Sequence, residues 1–193
     1  MREGKVEGLL AGGATDVVVV ASEPAERLDD LEGLDGVAVN RRTWYAPDLA
    51  GAFLVIAHDP DPSVRARIAE AARAAGALVN VVDDIPACDW AMPALVRRGE
   101  LLLAIGTGGA SPALARKMRE RLEAEYGPEW AEVLHVLREV REATLPLLPD
   151  IRERSARWRE ALDPDEAAAL VRAGCADELR GRLVSRLLDG ARR

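Results

Sequence analysis

The chain has 193 residues and 20.8 kDa, with 49% hydrophobic and 31% charged side chains. That composition supports a real core and excludes both a multi-domain machine and a largely disordered chain. Its net charge of −7 is uneven, because residues 1–112 carry 10 basic and 17 acidic side chains while residues 113–193 carry 16 of each. General nucleic-acid affinity is therefore disfavoured in the first part. No apolar run reaches the roughly 20 residues of a membrane span. The opening MREGKVEGLL has no long apolar signal region, so a cytoplasmic protein with no membrane partner is expected. Two cysteines, Cys88 and Cys175, are too few for a disulfide framework or a cysteine zinc site.

In chain order, residues 3–11 read as a short helix broken by Gly12-Gly13, followed by the β-branched run DVVVVA at 16–21. GVAVN at 36–40 and AFLVIAH at 52–58 read as strands. Asp59-Pro60-Asp61-Pro62 then makes a sharp turn, with Asp61 as helix cap and Pro62 in the first turn. Val64, Ile68, Ala71 and Ala75 share one helix face, closed by Gly76. ALVNVVD at 77–83 and LLLAIGT at 101–107 complete the strands. Strands separated by helices of this length predict right-handed crossovers and a doubly wound parallel α/β sheet over residues 1–112.

From Ser111-Pro112 the strand pattern disappears. Ser111 caps a helix to about Glu125 with Leu114, Met118 and Leu122 on one face. A second helix follows Gly127-Pro128, with Trp130, Val133, Leu134 and Leu137 at helical spacing. Shorter helices are expected at 151–161, 164–174 and 176–188, making residues 113–193 all-helical.

In a doubly wound sheet, ligands sit beyond the carboxyl ends of the strands. Those ends carry Ser22-Glu23, His58-Asp59, Asp83-Asp84 and Thr107-Gly108-Gly109, which the topology is expected to bring together. The turn from Thr107 through Ser111 offers backbone N–H groups and a helix N-terminus to a polar ligand, although glycine turns before helices are usually only turns. Asp83, partly desolvated beside Asp84, would have a raised pKa and move protons near neutral pH; a plain turn aspartate is the competing reading. His58 is either a ligand or proton carrier or, more often in such places, a structural residue. His135 and Cys88 read as structural. No metal site is expected.

Taken together, GKVEGLL, VVVASEP and the stretch from DLAGAFLVIAH through NVVDDIPACDWAMPALVRRG to TGGASPALARKMRERLE resemble one family closely. This is the precorrin-2 dehydrogenase/sirohydrochlorin ferrochelatase module of siroheme synthases. The resemblance covers residues 4–125 almost without gaps and Arg154 to Leu188 more loosely. It implies a Rossmann-like domain followed by a helical dimerisation region, NAD as cofactor, and precorrin-2 and sirohydrochlorin as ligands. Ferrous iron would be substrate of a second, chelating step. The resemblance makes Asp83 the proton acceptor. It assigns the cofactor to Ser22 and Glu23, with His58, Asp59 and Val82 at neighbouring strand ends. Thr107, Gly108, Gly109 and Ser111, with Arg97 and Arg116, would face the tetrapyrrole and its carboxylates, joined by Arg98, Arg154, Arg157 and Arg159. It also implies a homodimer built through the helical part, around Trp130–Leu137 and Leu145–Leu148.

The pattern departs from the family at its start, where members carry a strand and a glycine-rich turn before the helix that here begins at Gly4. Without that strand, 17–21 and 52–58 are expected to lack a common neighbour, with unpaired backbone and exposed apolar faces. A start placed about 20 residues late or a repurposed copy would each explain this, and the chain is expected to bind NAD poorly. Three readings remain: the bifunctional enzyme, the dehydrogenase alone, and a nicotinamide- or tetrapyrrole-binding module without turnover.

Overall fold

Short β-branched strands alternating with helices build the first of two compact units, Met1–Ala91; Met92–Arg193 form the second. The computed structural model describes residues 3–22 and 28–189. In the first unit the elements are α1 (Glu3–Ala11), β1 (Val17–Val20), α2 (Asp29–Glu32), β2 (Val37–Asn40), β3 (Leu54–Ala57), α3 (Pro62–Ala74) and β4 (Leu78–Val81). In the second they are β5 (Ala94–Arg98), β6 (Leu101–Ile105), α4 (Pro112–Glu125), α5 (Glu129–Thr144), α6 (Ile151–Ala161), α7 (Pro164–Arg172) and α8 (Ala176–Asp189).

The strands of the first unit form two parallel pairs. β1 lies against β2 with Val17 opposite Val37, and β3 against β4 with Leu54 opposite Leu78. Each pair has its own apolar cluster. Val6, Val17, Leu28 and Leu31 gather α1, β1 and α2. Val55, Ala57, Val79 and Val81 pack on Ile68, Ala69 and Ala72 of α3, whose alanines let the helix approach the strands closely. Asp61 caps α3 as expected, its carboxylate accepting from Ser63 N–H at 2.8 Å.

Instead of one continuous sheet, the described residues thus form separate two-stranded pieces. The edges of β1 and β3 that face away from β2 and β4 have no partner among the described residues. Val18 at 52% and Phe53 at 76% exposure mark the apolar surface left beside them. This is the exposure anticipated for two strands lacking a common neighbour.

In the second unit, β5, unassigned from the sequence, pairs antiparallel with β6, with Val96 opposite Leu103. Residues 101–105 are therefore the return strand of a hairpin and not a parallel crossover strand. Gly99, at φ +57°, makes the tight turn possible. The hairpin packs on α4 and α5, so the division of the chain falls at Ala91/Met92, earlier than the boundary at 112 expected from the end of the strand pattern. α5 to α8 enclose a core of Val133, Val136, Val140, Leu148, Ala161, Ala167, Leu179, Leu183 and Leu187. Asp150 and Asp163 cap α6 and α7. Glu166, accepting from Arg186 at 2.6 Å and paired with Arg182, ties α7 to α8.

Candidate functional site

β4 ends in a tight turn. Val82 N–H still donates to Ala57 O of β3 at 2.9 Å, and Asp84 N–H folds back to Val81 O at 3.3 Å. Between them Asp83 has φ +62°, the one positive φ outside glycine among the described residues. A left-handed residue at this position of a turn is ordinarily glycine or asparagine, and an L side chain there costs about 1 kcal/mol. The chain carries that cost and places a carboxylate at the carboxyl end of a parallel strand. Asp83 is exposed and Asp84 half-buried. The desolvation expected for Asp83 is thus not supplied by the described residues of its own unit, because the turn lifts it clear of the strand pair.

The outer edge of β4 is closed by the segment that follows. Val79 N–H donates to Asp89 Oδ2 at 3.0 Å, and Asp89 N–H donates to Val79 O at 2.8 Å. Val81 N–H donates to Cys88 Sγ at 3.1 Å. Asn80, buried, reaches Trp90 O at 2.9 Å. Arg73 of α3 pairs with Asp89 at 3.0 Å and holds its carboxyl below the usual range, with the Val79 N–H adding to the effect.

The other expected residues of the first unit differ in availability. Ser22 lies exposed beyond β1, while Glu23 lies outside the described residues. His58 is exposed beyond β3. Asp59 is committed to the turn into α3: its Oδ1 accepts from Asp61 N–H at 2.8 Å and its carbonyl accepts from Arg65 at 2.6 Å. Val82 contributes backbone to the β3–β4 pair. His135, read as structural from the sequence, belongs to α5 of the second unit and is exposed beside Glu139 at 3.4 Å. At the N-terminus of α3, Pro62 lacks an N–H and the Asp61 carboxylate occupies the Ser63 N–H, which disfavours an anion there.

In the second unit, Thr107 Oγ1 donates to Ser111 O at 3.2 Å and accepts from Ser111 N–H at 3.4 Å. Gly108 and Gly109 have φ +57° and +80°. The Ser111 hydroxyl is spent capping α4 through Leu114 N–H at 3.1 Å. The arginines separate sharply. Arg98 donates to Tyr126 O at 2.7 Å and Glu123 O at 3.0 Å, closing the C-terminus of α4. Arg154 donates to Leu148 O, Arg157 to Leu187 O and Glu153, and Arg159 to Ser155 O. Arg116 pairs with Glu120 along α4. Arg97 alone of these is exposed with no guanidinium partner among the described residues. Arg98, Arg154 and Arg157 thus donate to backbone carbonyls of the chain itself, while Arg159 stays exposed on α6 with only a 3.3 Å contact to Ser155 O of its own helix. Spacing alone does not separate Arg97 from Arg98; the alternation of β5 does.

Parallel strand pairs packed with helices give the first unit the architecture of a Rossmann-like α/β domain, in which ligands sit beyond the carboxyl ends of the strands. Residues 2–94 match the family described as putative NAD(P)-binding, and residues 98–125 match sirohaem biosynthesis protein central. The chain is 34% identical over 185 residues to a siroheme synthase of Ectopseudomonas mendocina, and 33% identical over 186 residues to one of Methylococcus capsulatus. Each alignment takes in 96% of this chain and 39% of the relative, so the chain spans about two-fifths of the length of those relatives. A solved structure of SirC, precorrin-2 dehydrogenase, superposes with a TM-score of 0.67 at 24% identity, over 93% of this chain and 86% of that one. The chain thus carries a putative NAD(P)-binding segment followed by a sirohaem-central segment, and over about two-fifths of their length it is similar to siroheme synthases.

Proposed function

We propose that the chain catalyses the NAD-dependent dehydrogenation of precorrin-2 to sirohydrochlorin, with ferrous iron insertion as a second step on the same module. The observation that carries this reading is Asp83, a carboxylate held in a left-handed turn at the carboxyl end of β4. Bound NAD⁺ would supply a hydride acceptor, and Ser22, His58 and Val82 lie at strand ends where its sugar and nicotinamide would be held. Dehydrogenation also releases a proton, which Asp83 takes; insertion of a divalent ion releases two more from pyrrole nitrogens, and the same carboxylate accepts them in turn. Arg97 offers its free fork to a substrate carboxylate, and the exposed amides of Gly108 and Gly109 offer further donors.

A carboxylate held in a left-handed turn at a strand end favours catalysis over a binding module without turnover, which needs no base there. The homodimer belongs to this reading too, resting on the apolar Leu145 and Leu147, which stay exposed beside the buried Leu148. A monomer by light scattering at micromolar concentration would sink that part. A cytoplasmic location accords with it, and among the described residues no helix is long and apolar enough to cross a membrane.

The test is anaerobic. The chain with precorrin-2 and NAD⁺ should develop the sirohydrochlorin spectrum, and Asp83→Asn, which keeps the left-handed turn, should lose turnover by about 10²–10⁴-fold while still binding precorrin-2. Unchanged turnover in that variant removes Asp83 as the base. Loss of binding with no turnover to lose points to the binding module. Addition of Fe²⁺ to the product then reads the second step.

A further inference from the structure

The turn that carries Asp83 is held at both ends by one thiol. Cys88 Sγ accepts from Val81 N–H at 3.1 Å and lies 3.2 Å from Val81 O and 3.3 Å from Asp84 O, to either of which its S–H donates. Asn80 Nδ2 approaches the same sulfur at 3.5 Å. Val81 and Asp84 are the first and last residues of the tight turn, so the sulfur spans its base while Asp83 stands at its crest. The turn's own backbone closure, Asp84 N–H to Val81 O at 3.3 Å, is long. A left-handed aspartate relaxes unless its surroundings over-determine it. The sulfur's second grip on Val81 and Asp84 supplies that constraint, and Cys88 is itself fixed by its N–H to Ile85 O at 3.0 Å.

We infer that Cys88 is a positioning residue for Asp83: its thiol, bridging Val81 and Asp84, keeps the Asp83 backbone left-handed and so fixes where the carboxylate stands. The catalytic consequence rests on the proposed role of Asp83 as base; the conformational one does not. A serine at this position retains donor and acceptor but, with a shorter Cβ–O bond, reaches less far.

Two measurements on the full chain test this. The first is the one-bond Cα–Hα NMR coupling of Asp83, which reports the sign of φ. In Cys88→Ala it should shift from the left-handed value toward the average of a mobile turn, and in Cys88→Ser it should stay close to the parent. A left-handed coupling unchanged in Cys88→Ala overturns the inference, whatever the enzyme does. The second is turnover of precorrin-2 with NAD⁺. Cys88→Ala should lower kcat by about tenfold or more with KM within about twofold, Cys88→Ser should recover most of it, and Cys88→Ala/Asp83→Asn should be no slower than Asp83→Asn alone. Independent losses in the double variant, or full kcat in Cys88→Ala, overturn the catalytic half. Undiminished turnover in Asp83→Asn overturns the base assignment and that half with it, while the NMR result still decides the conformational half. If Cys88→Ala does not fold, Cys88→Val, which fills the space without a donor or acceptor, carries both measurements with the same expected and overturning results.

Discussion

Arg98 and Tyr126 are 28 residues apart in the chain, yet the guanidinium Nε donates to the Tyr126 carbonyl at 2.7 Å, and a second arm reaches Glu123 O. A hairpin residue thereby satisfies the carbonyls that the last turn of α4 leaves without partners. Arg98→Ala should destabilise the second unit by about 1–3 kcal/mol, the range for hydrogen bonds to a charged group, read as a lower denaturation midpoint. Arg97→Ala, one residue away on the other face of β5, should leave the midpoint unchanged and, on the proposed function, raise KM for precorrin-2 by about tenfold, the loss of about 1.4 kcal/mol. A shared stability loss would refute the division of roles.

Gly36 sets the register of the first strand pair. Its carbonyl accepts from Val17 N–H at 2.8 Å, and its φ is +75°. A Cβ there would stand 2.7 Å from the Thr15 carbonyl oxygen, a backbone atom without freedom to move aside. Gly36→Ala should therefore cost at least about 1–2 kcal/mol. Thermal melting should show it, and a neutral result would mean that β1 and β2 shift together without loss.

Arg42 holds Asp48 through two hydrogen bonds, at 2.8 and 2.6 Å, and lowers its carboxyl to about 2, with the Tyr45 N–H contributing less. A carboxyl depressed on folding adds stability that is fully present above its unfolded value of about 3.9 and is lost as pH falls through about 2. Melting temperature followed from pH 5 to 2 should fall less in Asp48→Asn than in the parent. Parallel curves would mean that the pair does not outlast its solvent exposure.

Leu183 belongs to the stripe Leu179, Leu183 and Leu187 by which α8 closes the helical core, and it is 1% exposed. Leu183→Ala should cost about 2–5 kcal/mol through lost burial and the cavity left behind. Leu147→Ala, at a side chain 58% exposed, should cost little in a monomer. A dimer that dissociates on that change would place Leu147 in its interface.

The helices were legible because their signals are local. Asp61 and Ser111 cap α3 and α4 where the sequence put them, and Trp130, Val133 and Leu137 of the stripe read on α5 pack into the helical core. The strand runs VVVV and LVIA were equally plain. β5 was not, since ALVRR ends in two arginines and its alternation is visible only once Val96 is seen opposite Leu103. Asp83 stood out as a strand-end carboxylate, but its left-handed backbone has no mark in the letters: aspartate adopts either conformation, and the turn around it decides.

By itself, then, the amino-acid order determined the longer helices, every strand but β5, several helix caps and the family the chain resembles, because periodicity, capping and motif spacing act within a few residues. Tertiary structure alone decided that Arg98 caps while Arg97 is free, that Cys88 braces the Asp83 turn, and that the edges of β1 and β3 stand without a described partner. Each of those depends on which groups meet across space, and a hydrogen bond is satisfied by the atom that arrives within about 3 Å, however far away it lies along the chain.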